Sequence, residues 1–132
     1  MAQVDQHIQY WLESAERSWS TTQDLLKTRH NDACLFFCHL TLEKLLKALV
    51  VKVTQEPAPY IHDLAKLAQI ARLQLTEEQL QQLRTITTFN ISARYDEVRL
   101  AFYKQCTPRY TKEYFEISEQ LYVWFKEEFQ KK

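Results

Sequence analysis

Residues 92–112 hold Arg94, Arg99, Lys104, Arg109 and Lys112 against Asp96 and Glu97, five cations to two acids and a net of plus three. Tyr95, Phe102, Tyr103 and Tyr110 are interleaved with them. Guanidinium groups grip phosphates through paired hydrogen bonds, and aromatic faces stack on bases. The stretch is therefore suited to an anion that carries a flat ring. It is equally suited to a solvated loop whose arginines pair with neighbouring acids. A second set is His62-Asp63, which follows Pro57 and Pro59 and falls at a helix start. There Asp63 complements the helix dipole. His62 either lines a ligand site or pins the loop through a backbone carbonyl.

Two further sets lie in the segment 33–53. Cys34 and Cys38 are four apart with His39 beside them, so a helix puts both thiols on one face. No second ligand pair follows at a zinc spacing, and buried core cysteines with no metal are the expectation. His39 reads as a core histidine. Glu43, Lys44 and Lys47 at helical spacing suggest a solvated stripe with an ion pair. They also interrupt an otherwise apolar helix, which suits an interface instead.

The elements that must position these residues are helices. Ile8, Leu12, Ala15, Trp19, Thr22 and Leu26 recur every three to four residues, predicting a first helix over about 5–29. Asn31-Asp32 reads as the cap of a second over about 32–53. Its first half is apolar on nearly every face and belongs centrally, and its second half returns to an amphipathic pattern. The prolines at 57 and 59 break it. A short helix follows with Ile61, Leu64, Leu67, Ala68 and Ala71 on one face. Thr76 with Gln79 is a capping box opening a helix towards Phe89. Residues 90–108 are less periodic and read as irregular. Thr111 is taken as the cap of a last helix striped by Tyr114, Ile117, Leu121, Trp124, Phe125 and Phe129.

Composition narrows the function classes. The 132 residues contain no glycine, which excludes a phosphate-cradling P-loop, a GxGxxG turn and a nucleophile elbow. Tight hairpins also lean on glycine, so a β-rich fold is disfavoured. Seventeen basic and seventeen acidic residues balance, against a chain-wide cationic surface. The opening MAQVDQHIQYWLE lacks a basic region followed by an apolar one, and no secretory leader is expected. No apolar run is long enough to span a membrane, and three cysteines suit a reducing cytoplasm. The expectation is one all-α domain over residues 1–132, an up-and-down four-helix bundle with an additional short helix.

Taken in order, WLESAERSWSTTQDLL, ACLFFCHLTLEKLLKALVV, a proline break, IHDLAKLAQ, ISARYDE and PRYTKEYFEISEQLYVWFKEE resemble the HEPN domain, a helical nucleotide-binding domain. The likeness runs from about Ile8 to Glu128. Its best marks are Glu43-Lys44-x-x-Lys47-Ala48, His62-Asp63-Leu64 and Ala93-Arg94-Tyr95. The resemblance implies a helical bundle, often a homodimer, commonly encoded beside a minimal nucleotidyltransferase. Such pairs are read as toxin–antitoxin or nucleotide-signalling systems. Many members are metal-independent ribonucleases whose motif is an arginine, a polar residue, three to five further positions and a histidine. Arg84, Arg94, Arg99 and Arg109 each lack a histidine at that spacing. Strand cleavage by the 2′-hydroxyl needs a group that moves protons near neutral pH, so the nuclease activity is not carried over.

What remains is Arg94 and Tyr95 with His62 and Asp63, and Arg99 and Tyr103 beside them. The first reading is a cytoplasmic binding module for a nucleotide, RNA or a nucleotidyltransferase partner, with no cofactor. Arg94 would hold phosphate, Tyr95 would stack, and His62 with Asp63 would shape the rim. The alternative is a ribonuclease with His62 as general base and Arg94 stabilising the pentacoordinate phosphate. A third is a helical adaptor whose apolar surplus serves dimerisation only.

Overall fold

The three-to-four spacing of apolar residues produces α1 (Ala2–Lys27), which buries Ala15, Trp19 and Thr22. It turns at residues 28–30 into α2 (Asn31–Thr54). The computed structural model describes residues 2–91 and 94–131. Among these it has four more helices and no strand: α3 (Leu64–Ile70), α4 (Glu77–Thr87), α5 (Asp96–Gln105) and α6 (Pro108–Gln130). The fold is all-α, as the sequence indicates. No helix among the described residues is long and apolar enough to cross a membrane.

α2 is the central element, packed most extensively against α1, then α6 and α3. Its second half is not amphipathic: Leu45, Leu46, Lys47, Ala48, Leu49, Val50 and Val51 are all buried. The charges that gave the sequence an amphipathic look, Glu43 and Lys47, turn inward and pair with each other. The solvated-stripe expectation therefore fails for these two. Trp19 of α1 stacks between Phe115 and Tyr122 of α6, with ring centroids 5.1 and 5.0 Å away. Offset aromatic pairs of this kind contribute about 1 kcal/mol each beyond the area they bury.

Residues 90–108 are not irregular throughout, since they contain α5. Its weak sequence signal has a simple cause: Phe102 is its only buried residue, so no apolar stripe marks it. Phe102 packs on Phe89 at 5.5 Å between centroids. Asp96 and Glu97 in the first turn favour the helix electrostatically. The last helix begins four residues earlier than Thr111 suggests. Thr107 is its N-cap, accepting from the Tyr110 amide at 3.2 Å, and Pro108 occupies the first helical position. Thr111 is buried inside the helix. The Asn31-Asp32 cap also shifts: His30 is the N-cap position, without a side-chain bond, and the Asn31 amide donates to the Cys106 carbonyl at 3.2 Å. The Thr76–Gln79 capping box forms as expected.

A chain without glycine must still end its helices. Arg29, Gln55 and Arg72 take the left-handed conformation, at φ 62°, 61° and 60°. At α1 the Arg29 amide donates to Leu26 and the His30 amide to Leu25, and α3 closes the same way through Arg72 and Leu73. A side chain at such a position costs about 1 kcal/mol relative to glycine. We therefore expect Arg72→Gly to raise the melting temperature by about 4 °C. A fall in thermal unfolding temperature would contradict this account of the helix ends.

Candidate functional site

The break after α2 returns the chain across that helix. The Ile61 amide donates to the Pro59 carbonyl at 2.9 Å, which tightens the turn. Asp63 is the N-cap of α3, its carboxylate accepting from the Lys66 amide at 3.2 Å. The Leu64 amide donates to the Thr87 hydroxyl at 3.1 Å, tying the start of α3 to the end of α4. His62 is thereby held over the middle of α2.

There it meets the buried carboxylate of Glu43. His62 Nδ1 lies 3.1 Å from both Glu43 oxygens. A carboxylate only accepts, so Nδ1–H is the donor and Nε2 is left as the outer nitrogen of a side chain 45% exposed. Lys47 Nζ donates to Glu43 Oε2 at 2.9 Å. The same ammonium lies 5.3 Å from the Trp11 ring centroid of α1 and 5.8 Å from that of Tyr60. Both contacts fall within cation–π range. Tyr60 also meets His62 edge-on, at 5.2 Å between ring centroids, and is 91% exposed.

His39 completes the cluster from below. It is fully buried, and Nε2–H donates to the His62 carbonyl at 3.0 Å. Its Nδ1 has no hydrogen-bond partner among the described residues. Burial pushes the imidazole below its ordinary 6.5, with the His62 carbonyl and the Glu43 charge opposing that shift. His39 is thus a core histidine that pins the His62 backbone. Among the described residues no group of three or more His, Cys, Asp or Glu side chains is arranged to hold a metal ion. Cys34, Cys38 and Cys106 are free and buried. Burial, with the nearby Asp32 charge, raises the Cys106 thiol to about 12.

The second sequence-derived set lies on α5. Arg94 is exposed just before it, its amide donating to the Ile91 carbonyl at 3.1 Å. Ala93 of the Ala93-Arg94-Tyr95 turn lies outside the described residues. Tyr95 occupies the N-cap position and is 83% exposed. Arg99 donates from Nε to the Ile91 carbonyl at 3.3 Å, which folds it back on its own segment. Tyr103 is exposed and lines a cavity with Lys104. Asp63 lines a different cavity, of about 460 Å³, with Lys66, Arg84 and three leucines. His62 thus joins Glu43, Asp63 lines a cavity beside α3, and Arg94, Tyr95, Arg99 and Tyr103 lie on α5 or just before it.

The described residues thus form an all-helical domain with a buried charged cluster on its central helix. The HEPN domain model matches residues 8–128, nearly the whole chain, and the chain belongs to the HEPN domain family. Comparisons with curated proteins and with solved structures find no match.

Glu43, Lys47, Tyr60 and Trp11 were not legible as parts of one site. The available signal was the pair of opposite charges four apart inside an apolar helix. Removing one member of a buried pair leaves the other uncompensated, at a cost of about 3 kcal/mol or more. Lys47→Ala should therefore destabilise strongly in urea unfolding, and adding Glu43→Gln should restore much of the loss. Additive losses in the double variant would show that the two charges are not coupled.

Proposed function

We propose that this HEPN protein is a binding module, without catalysis of its own, for RNA or a nucleotide. The observation that carries the reading is α5. It gives one side chain, Phe102, to the core and keeps Tyr95, Val98, Leu100 and Tyr103 outside. A helix that spends its aromatic residues on solvent contributes little to packing and is suited to stacking on bases. Arg94 and Lys104 supply phosphate contacts at its two ends. Asp63 supports the arrangement indirectly, by starting α3 where His62 can reach Glu43.

The same reading includes a cytoplasmic homodimer that works with a minimal nucleotidyltransferase, in a toxin–antitoxin or signalling pair. Phe36, Phe37 and Leu40, only part-buried on the central helix, support a self-association face. A second reading, a ribonuclease, is favoured by one observation. Glu43 fixes His62 with Nδ1 protonated, the arrangement that leaves Nε2 basic. In that reading Nε2 takes the 2′-hydroxyl proton while Arg94 stabilises the phosphate.

The test is a titration of labelled single-stranded RNA and of free nucleotides, in EDTA and at fixed salt. We expect binding, with affinity about tenfold lower in Tyr95→Ala and in Arg94→Ala. Cleavage that disappears in both His62→Ala and Arg94→Ala would establish the ribonuclease instead. Absence of binding to any RNA or nucleotide would leave the helical adaptor.

A further inference from the structure

At the corner where α1 passes into α2 and α5 passes into α6, two cavities of about 430 and about 390 Å³ share Arg29, Asn31 and Pro108. Lys112 lines the first, and Lys104 with Tyr103 lines the second. Asp32 is the one carboxylate in either lining. Three cations thus face one acid in a concave surface of a chain whose net charge is zero. The side chains of Arg29, Lys104 and Lys112 make no hydrogen bond or ion pair with any described residue. Like charges gathered in a concave surface repel one another, and an anion bound among them relieves that repulsion. The Asn31 bond to the Cys106 carbonyl ties the start of α2 to the end of α5 at this corner. The dipole of α2 adds the same sign to a site that the cavity and the three cations already define.

We propose that this groove is a phosphate-binding site. Arg29 provides a forked donor, Lys104 and Lys112 flank it as point charges, and the exposed Tyr103 ring offers a stacking face for a group attached to the phosphate. The phosphate comes either from a strand lying along α5 or from a free phosphorylated small molecule. The first source rests on the RNA reading above, whereas the phosphate site itself does not. α5 has ten residues and is about 15 Å long, so Tyr95 and the groove stand at opposite ends of one helix. A ligand that engages both is an oligonucleotide.

The site is tested by amide NMR titration of the full chain with inorganic phosphate and, separately, with a short oligouridylate. Arg29→Gly with Lys112→Ala is the informative variant, because glycine suits the left-handed backbone at 29 and the fold is retained. Phosphate should shift the amides of residues 29–32 and 104–107, and the double variant should weaken it about tenfold. The control Lys126→Ala, on the exposed side of α6, should leave phosphate binding unchanged. Parallel loss of oligouridylate affinity in the double variant identifies the strand as the source. Phosphate binding at the groove without any oligouridylate binding identifies a free small molecule, and it overturns the RNA reading while the groove stands. Phosphate shifts absent from these residues, or equal losses in the double variant and in Lys126→Ala, would overturn the site.

Discussion

One carboxylate organises this molecule. Glu43 sits on the central helix with about 6% of its surface exposed, where an unpaired charge would be prohibitive. It is tolerated because Lys47 comes from its own helix and His62 from the connection that follows. The consequence is positional. Burying Glu43 requires His62 to come down on α2, and His39 holds the same residue by its carbonyl. Asp63 is then placed to start α3, and Leu64 to meet Thr87 of α4. Lys47 extends the linkage to Trp11 of α1 through its ring contact. Parts of four helices thus take their places from a single ionic cluster. A hydrophobic cluster would pack as tightly but would not specify register in this way, since apolar contacts are non-directional.

The surfaces proposed to bind ligand lie outside this frame. α5 is anchored by Phe102 on Phe89 and by the Asn31 bond to the Cys106 carbonyl beyond its end. Tyr95 before the first attachment, and Tyr103 and Lys104 between the two, are exposed. The division is economical in a glycine-free chain. Backbone amides cannot be brought close to a phosphate by a glycine loop, so in the proposed sites the contacts come from side chains on helix surfaces. Arginine and tyrosine are suited to that task because each reaches beyond the backbone and meets a planar partner face on.

Much of the fold was legible because helix patterns are local. The period of Ile8 to Leu26, the Thr76–Gln79 capping box and the proline break each state their structure within a few residues. α5 escaped because a helix with a single buried residue leaves no period to read. Thr107 escaped as a cap because Pro108 was taken as a residue before the helix, when its fixed φ suits the first helical turn. The site divides in the same way. His62 and Asp63 were visible as a pair that could do chemistry, but their partner Glu43 lies 19 positions earlier. Only the return of the chain over α2 joins them. Arg29, Lys104 and Lys112 are likewise gathered by a corner between distant turns, and no window of sequence contains all three.

The most direct measurement of the Glu43 constraint is the tautomeric state of the two histidines, read from side-chain ¹⁵N shifts and their couplings at neutral pH. The account requires opposite answers from neighbours in one cluster. His62 should carry its proton on Nδ1, facing the carboxylate, and His39 on Nε2, facing the His62 carbonyl. A His62 ring that averages between tautomers as a solvent-exposed imidazole does, or that is protonated on Nε2 with Nδ1 bare, would contradict the account.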